Sequence, residues 1–177
     1  LGEYLAGAVS GSSPTGRARP FVISRVFRAP RDRVFKAWTE RGHLQRWFGP
    51  RGTTIPECTL DLRPGGTFHY LMRSGHGPDT WARWVFRDIV PGERLVFVAS
   101  FSDRGGGVAR APFDESWPLE MLSTVTFADH AGIGRGTVVT IRWEPLGAGE
   151  AEERTFDRGH ESMNQGWAGT LDRLADH

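Results

Sequence analysis

The residue with the most chemical potential in this sequence is His160, because it falls in a segment whose apolar positions recur every three or four residues. Phe156 and Met163 share its side of the predicted helix. An imidazole that points into an apolar interior could bind a ligand oxygen, or act as a general base near neutral pH. A histidine in this position can equally be part of the core, with its nitrogens hydrogen-bonded to nearby protein groups. The spacing leaves both interpretations open.

Two further polar side chains are predicted to face the interior from strands. Tyr70 alternates with Phe68 and Met72, so its hydroxyl shares their face. Ser123 follows Met121 at the same two-residue spacing. A buried hydroxyl needs a hydrogen-bonding partner, which a ligand, another protein group or a water can supply. Both residues are therefore candidate polar anchors for a ligand.

The chain has one cysteine, Cys58. A single thiol provides no disulfide framework and no thiolate zinc site. Cys58 alternates with Leu60 and Leu62, which places all three on the inner face of a strand. Nothing nearby in the sequence would lower the pKa of the thiol, so we interpret Cys58 as a small packing residue.

The remaining motifs do not indicate metal or nucleotide chemistry. No two histidines have the HxH or HxxxH spacing that would place two ligands on one face. The odd–even pattern of its strand places His69 on the outer face. The glycine-rich stretches form no phosphate-binding loop between a strand and a helix, and no GxSxG elbow occurs. We therefore expect neither a metal nor a cofactor. The histidines considered are His43, His69, His76, His130 and His160.

The 177 residues carry a formal net charge of +1, from 22 basic and 21 acidic residues. Arginines are interleaved with acids along the chain, which is typical of a solvated surface and not of a nucleic-acid site. No apolar run approaches the roughly 20 residues of a membrane-spanning helix.

Residues 1–18 are rich in Gly, Ser and Pro and lack a secretory pattern, so they predict a flexible tail before one domain, 19–177. We expect a cytoplasmic monomer or homodimer.

The elements that must position these side chains follow from the periodicity. Pro30 opens a first short helix (PRDRVFKAWTE), and a second (HLQRWFG) ends at Gly49. Residues 150–176 predict one amphipathic helix of about six turns. Alternation and turn motifs predict strands at 21–28, 58–62, 68–72, 81–90, 95–101, 121–127 and 137–143.

An antiparallel sheet with one apolar face must cover that face with the long helix. If the sheet curves, the space between sheet and helix becomes a cavity lined by the inward residues of both. Trp47, with Phe48, either roofs the entrance or closes the core between helices and sheet. The candidate ligand-binding residues are Trp47, Phe68, Tyr70, Trp84, Phe86, Phe97, Met121, Ser123, Trp143, His160, Met163 and Trp167.

Four segments carry a family resemblance: PRDRVFKAWTERGHLQRWFGP, DLRPGGTFHY, DIVPGERLVF and GHESMNQGWAGTLDRL. They resemble blocks of the AHSA1-like branch of the START/Bet v 1 (SRPBCC) superfamily. This branch is named after the activator of Hsp90 ATPase. The run WPLE at 117–120 resembles one bacterial subgroup. The resemblance implies an α+β helix-grip fold: a curved antiparallel sheet around a long C-terminal helix, with a hydrophobic cavity between. Trp84 stands where relatives often have a small residue, so the cavity is expected to be narrower or reshaped.

The resemblance implies several functions, since the superfamily includes lipid carriers, cyclases, hydrolases and cochaperones, and a fold does not select among them. The Phe, Trp and Met residues on the predicted inner faces favour a protein that binds a small hydrophobic or aromatic ligand. One alternative is a cyclase- or hydrolase-type enzyme that uses His160 and Tyr70 in the same cavity. The other is a cochaperone or protein-interaction module. The pattern assigns no catalytic residue.

Overall fold

The computed structural model describes residues 17–75, 77–132 and 134–177. Strand β1 (Phe21–Phe27) is followed by two short helices, α1 (Arg31–Thr39) and α2 (Arg41–Trp47), as predicted. The strands that follow are β2 (Thr53–Leu60), β3 (Thr67–Ser74), β4 (Thr80–Val90), β5 (Arg94–Ser102), β6 (Val108–Ala109), β7 (Met121–His130) and β8 (Gly136–Pro145). Helices α3 (Glu150–Arg158) and α4 (His160–Asp176) complete the order.

The strands form one antiparallel sheet in the order β1-β8-β7-β5-β4-β3-β2, and the two-residue β6 pairs with the end of β5. Register shifts between Thr54 and Glu57 in β2 and between Phe86 and Asp88 in β4 mark bulges, which bend a strand and increase its twist. The sheet curls into a half-barrel, and α4 lies against its concave face. The predicted α+β helix-grip fold is confirmed.

One core joins the sheet to the helices. Trp38 of α1 has no exposed surface, and its side chain packs against Trp167 of α4 in a stacked arrangement. The buried residues of α4 include Met163, Leu171 and Leu174, which follow the three- and four-residue steps expected of an amphipathic helix. Each large apolar side chain that folding buries contributes about 1.5–3 kcal/mol, so these rings account for much of the stability of the core.

The predicted single helix over 150–176 is wrong, because the structure divides it into α3 and α4 at Gly159. Gly159 has φ −79° and ψ −4°, so the departure from helical geometry is in ψ. A Cβ at this position would lie only 2.8 Å from Cζ3 of Trp117. The indole of Trp117 therefore occupies the space that an ordinary side chain would need, and only glycine permits this approach.

The predicted inner face of β2 holds for Cys58 but not for Leu62. Cys58 is buried in the core, where burial raises the pKa of its thiol, in keeping with a packing role. Strand β2 ends at Leu60, which packs partly buried against the core, and the chain then turns. In that turn the N–H of Gly65 donates to the carbonyl of Phe86. Leu62 consequently lies outside the strand and is 39% exposed.

The predicted tail, residues 1–18, lies outside the described residues apart from 17 and 18, as does His76. Ala18 is buried in the core, so the packed part of the chain begins before the predicted boundary. Within the described ranges, none of the helices has the length and apolar character needed to span a membrane.

Candidate functional site

A half-open cavity of about 320 Å³ lies between the concave face of the sheet and α4. Two loops complete its wall: residues 48–50, between α2 and β2, and residues 110–120, which we call the rim loop. The sheet contributes Tyr70, Met72, Ala82, Trp84, Ala99, Ser100, Phe101, Met121 and Trp143, and α4 contributes Ser162, Met163, Gly166, Trp167 and Thr170. From the rim loop, Phe113, Trp117, Pro118 and Leu119 line the cavity, and none of the described lining residues carries a formal charge.

The structure brings only some of the predicted ligand-binding residues to this cavity. Those that line it are Tyr70, Trp84, Met121, Trp143, Met163 and Trp167. The others lie elsewhere, and their predicted place at the cavity is corrected: Trp47, Phe68, Phe86, Phe97, Ser123 and His160.

Trp84 separates the lining from the core because its indole forms the floor of the cavity. Phe97 stacks against this indole with ring centroids 4.2 Å apart, and Phe68 meets it edge-on at 5.0 Å. Phe86 packs against Phe97 at 6.1 Å. These three phenylalanines point inward, but neighbouring rings cover them, so they fill the core and do not face the cavity.

Trp47 and Phe48 divide between the two roles considered for them. The indole N–H of Trp47 donates to the carbonyl of Ala37 at 2.8 Å, and its ring packs edge-on against Trp38 with centroids 4.9 Å apart. Trp47 therefore closes the core between the helices and the sheet. Phe48, the next residue, lines the cavity and meets Trp84 edge-on at 4.8 Å.

His160 lies at the start of α4 and faces the segment before β1. Its Nε2–H donates to the carbonyl of Arg19 at 3.0 Å, which leaves Nδ1 to accept from the Arg19 guanidinium at 3.4 Å. The ring packs edge-on against Phe21 and Phe156, with centroids 5.8 and 5.4 Å away. The apolar pattern around His160 thus reflects contact with β1 and α3, and the structure favours a histidine that joins these elements.

Ser123 is fully buried behind the cavity wall. Its cross-strand neighbours are Phe97 on β5 and Trp143 on β8, whose larger rings flank the short serine side chain. The hydroxyl has no hydrogen-bonding partner among the described residues. Ser123 is inward-facing, as the alternation predicted, but it does not line the cavity that its neighbour Trp143 lines.

Tyr70 is the one titratable side chain among the described lining residues. Burial raises the pKa of its hydroxyl, and a hydrogen bond with the Trp84 side chain offsets part of that rise. Because the charged form is disfavoured, the hydroxyl stays protonated at neutral pH and can donate or accept a hydrogen bond.

In the 48–50 loop, Phe48 was considered for the cavity entrance but Gly49 and Pro50 were not predicted as part of the site. Helix α4 holds this loop in place through one side chain. Arg173 donates from Nη1 to the carbonyls of Gly49 at 2.9 Å and Pro50 at 3.1 Å. Its Nη2 donates to the carbonyl of Arg46 at 3.0 Å. Gly49 has φ 103°, and a Cβ there would lie 2.7 Å from Oγ1 of Thr53, so the loop requires glycine. Such a guanidinium contact between distant segments has no periodic signature in the sequence.

The rim loop places Phe113, Trp117 and Leu119 at the mouth of the cavity. Phe113 is 65% exposed and meets Phe101 and Trp117 edge-on. Arg110 ties the loop to α3: its Nη1 donates to the carbonyls of Glu115 and Trp117 and to Oε1 of Glu152. The rim loop thus contributes aromatic residues that border the cavity.

The Arg110–Glu152 contact predicts a small acid-dependent loss of stability. Hydrogen bonds from Arg110 and from the Gly149 backbone lower the pKa of Glu152. Because the pKa of Glu152 is lower in the folded than in the unfolded protein, its carboxylate stabilises the fold fully at pH values above the ordinary pKa of 4.5. This stabilisation is lost as the pH falls through the lower pKa of the folded state. We expect Glu152→Gln to lower the Tm by about 1–4 °C at pH 7, in keeping with a partly exposed ion pair.

The measurement is a series of thermal melts from pH 7 to pH 3. The Tm difference between the wild type and Glu152→Gln should shrink as the pH falls through the acid range. The matched control is Glu150→Gln, since Glu150 also pairs with an arginine but its side chain is 85% exposed. A Tm difference for Glu152→Gln that persists unchanged at pH 3 would contradict the assigned role of the carboxylate.

Comparison with known proteins adds a family match and several similar structures. A family model described as "Activator of Hsp90 ATPase homolog 1-like protein" matches residues 28–177. Among curated proteins, none matches the chain.

Three similar solved structures are of bacterial proteins. A protein from Arthrobacter aurescens is 26% identical with a TM-score of 0.69, covering 89% of this chain and 84% of that one. A Nitrosomonas europaea protein is 22% identical with a TM-score of 0.67, covering 89% and 92%. A Rhodobacter sphaeroides protein is 16% identical with a TM-score of 0.68, covering 92% and 93%. These likenesses concern the fold.

Proposed function

The chain belongs to the family of activator of Hsp90 ATPase homolog 1-like proteins, and from that premise we propose that it binds a small apolar or aromatic molecule between its sheet and α4. The observation that carries the proposal is the cavity of about 320 Å³, whose described lining is aromatic, aliphatic and thioether with a few hydroxyls. Binding sites for small molecules are typically concave, apolar and supplied with few polar groups.

The position of the polar groups supports binding over catalysis. The hydroxyl of Thr170 donates to the carbonyl of Gly166 at 2.8 Å, so it is already engaged within α4. Tyr70, with its raised pKa, is suited to orient a ligand by a hydrogen bond. His160, on which the catalytic alternative depended, makes its hydrogen bonds with Arg19.

The test uses N-phenyl-1-naphthylamine, a neutral aromatic dye that becomes more fluorescent in apolar surroundings. At 100 times its Kd, a ligand stabilises the folded state by about 2.7 kcal/mol. For a chain of this size that corresponds to a rise in Tm of about 5–10 °C. We expect saturable fluorescence enhancement together with this rise.

Gly166 offers a variant that fills the cavity without disrupting the fold. It lies on the cavity side of α4, and a Cβ at this position would meet no atom within 4 Å. Gly166→Leu should abolish dye binding because the new side chain occupies the cavity. The change should also favour the helix, since glycine is about 0.8–1 kcal/mol less favourable there than alanine, and leucine is close to alanine.

The matched control is Gly42→Leu. Gly42 also lies in a helix, and a Cβ there would likewise meet no atom within 4 Å, but this residue is exposed and outside the cavity. This variant should bind the dye as the wild type does. If the dye fails to bind the wild type, or binds Gly166→Leu equally well, the proposed function is wrong.

A further inference from the structure

The mouth of the cavity exposes a large aromatic ring. Phe113 of the rim loop lines the cavity, yet it is 65% exposed. Single exposed apolar residues are common on proteins, so the position of this ring decides its meaning. Of the exposed large apolar side chains in the described part of the chain, only Phe113 and Leu119 line the cavity. These side chains are Val22, Val26, Leu62, Val108, Phe113 and Leu119.

The ring of Phe113 lies among other residues of the lining. It meets Phe101 edge-on with centroids 5.7 Å apart, and Trp117 with centroids 5.6 Å apart. Both partners line the cavity as well. These two contacts cover only part of the ring, and the rest is open to solvent. A molecule in the mouth of the cavity therefore reaches the Phe113 ring directly.

The rim loop is tied down on both sides of Phe113. Before it, Ala109 of β6 pairs with β5, and Arg110 joins the loop to α3. After it, the indole of Trp117 fills the space beside Gly159. Moving the backbone of Phe113 further into the cavity would break these contacts. A ligand in the cavity is thus the group positioned to cover the exposed part of the ring.

The inner end of the cavity is closed, which fixes the direction in which a long ligand extends. Trp84 forms the floor, and Phe97 and Phe68 pack against its indole with centroids 4.2 and 5.0 Å away. A ligand longer than the enclosed space must therefore extend toward the mouth, where Phe113 lies. Contact there buries apolar surface on both sides and allows edge or offset packing of rings. Because the described lining carries no formal charge, a charged group inside would be buried without a countercharge.

We infer that the cavity takes an elongated, uncharged, apolar ligand, with its inner end on Trp84 and its outer end against Phe113. The inference rests on the proposed function, because it specifies the shape and chemistry of the ligand of the same cavity. It also assigns Phe113 as a binding residue that long ligands use and short ligands do not.

The experiment compares two uncharged probes of equal width and different length. They are trans-stilbene and 1,6-diphenyl-1,3,5-hexatriene, which has two further double bonds between the same phenyl rings. Hexatriene binding is followed by its own fluorescence, and stilbene binding by displacement of N-phenyl-1-naphthylamine, with the Kd of the dye measured separately in each variant. We expect Phe113→Ala to weaken binding of the hexatriene at least fivefold and binding of stilbene less than twofold.

Val108→Ala is the matched control, since Val108 is also exposed and lies just before the rim loop but does not line the cavity. This variant should bind both probes as the wild type does. Phe113→Leu should retain most of the affinity for the hexatriene, because it keeps an apolar side chain at the mouth. Since the Phe113 ring is mostly exposed, Phe113→Ala should leave the Tm of the ligand-free protein within about 2 °C of the wild type.

A second measurement does not depend on a loss of affinity. With 4-fluorophenylalanine incorporated in place of Phe113, the ¹⁹F resonance should shift on addition of the hexatriene. It should stay near its ligand-free position on addition of stilbene, because the shorter probe does not reach the mouth.

The outcomes separate the two proposals. If Phe113→Ala weakens both probes equally or neither, and the ¹⁹F resonance responds to both or to neither, this inference is overturned while the apolar binding function stands on the dye. If Phe113→Ala leaves hexatriene binding unchanged and converts a dimer into a monomer in sedimentation, a second copy covers the ring and the inference is wrong. If neither the dye nor either probe binds, the proposed function itself fails.

Discussion

Trp84→Ala is expected to lower the free energy of unfolding by about 3–5 kcal/mol, the loss typical of deleting a large buried aromatic ring. The side chain is only 2% exposed. It stacks on Phe97 and packs edge-on against Phe48 and Phe68, with centroid distances of 4.2, 4.8 and 5.0 Å. The rings around it are held by the sheet and by α2, so they cannot collapse fully into the space that the indole leaves.

The same substitution should change which ligands fit. Trp84 forms the floor of the cavity, so its removal joins the cavity to the layer of phenylalanines behind it. Pyrene, a four-ring hydrocarbon, is expected to bind Trp84→Ala more tightly than the wild type, provided that the measurement is made well below the variant's Tm. Urea unfolding gives the stability change, and fluorescence titration gives the affinity.

Trp81→Ala is the control for this variant, because it makes the same change on the same strand but on the outer face. Trp81 is half-buried against His69, with ring centroids 4.6 Å apart, so its loss should be clearly smaller. If Trp84→Ala lowers the free energy of unfolding by less than about 1 kcal/mol, or by no more than Trp81→Ala does, then Trp84 is not packed tightly between the cavity and the core.

Arg173→Met is expected to destabilise the protein by about 2–4 kcal/mol and to weaken dye binding. The guanidinium donates to the carbonyls of Arg46, Gly49 and Pro50 at 2.9–3.1 Å. Without it the carbonyls of Arg46 and Gly49 lose this donor, whereas the Pro50 carbonyl still accepts from Thr53. Hydrogen bonds from a charged donor contribute about 1.5–3 kcal/mol each, less the cost of desolvating the cation. That cost is visible here, because burial, with a smaller effect of the Arg51 cation, lowers the pKa of Arg173.

Arg173→Met should weaken dye binding as well as lower stability, because the 48–50 loop lines the cavity. The measurements are urea unfolding and dye titration of the folded variant. Arg173→Lys should recover only part of the loss, since an ammonium group lacks the planar fork that reaches several carbonyls at once.

Arg154→Met is the control for a simple loss of charge, because Arg154 pairs with Glu150 on the exposed side of α3. Its effect should stay below about 1 kcal/mol. Equal stability losses for Arg154→Met and Arg173→Met would show that the carbonyl contacts of Arg173 add nothing beyond charge.

Local patterns in the sequence were sufficient to predict the fold. Alternation in the strands, turn residues between them and the helical spacing of Met163, Trp167 and Leu171 are consequences of backbone geometry that each segment carries by itself. The family resemblance then implied how they pack, as a curved antiparallel sheet around the C-terminal helix. Tyr70, Trp84 and Met121 were placed on the concave face by the same two-residue period.

The sequence could not distinguish a residue that lines the cavity from one that fills the core behind it. Phe97 and Ser123 face inward as predicted. Only the packed structure shows that Trp84 covers Phe97 and that larger rings flank Ser123. His160 has the right helical spacing, yet the segment before β1 lies against it. The long helix is interrupted at Gly159, where a tryptophan from a distant loop leaves no space for a Cβ.

The sequence by itself therefore determined most of the helices and strands, most of the faces that point inward and the apolar character of the interior, because these depend on periodicities of two and of three to four residues. The tertiary structure decided the outline of the cavity and its loop-built mouth. These features depend on contacts between residues far apart in the chain, such as Arg173 with the 48–50 loop, and such contacts leave no local pattern to read.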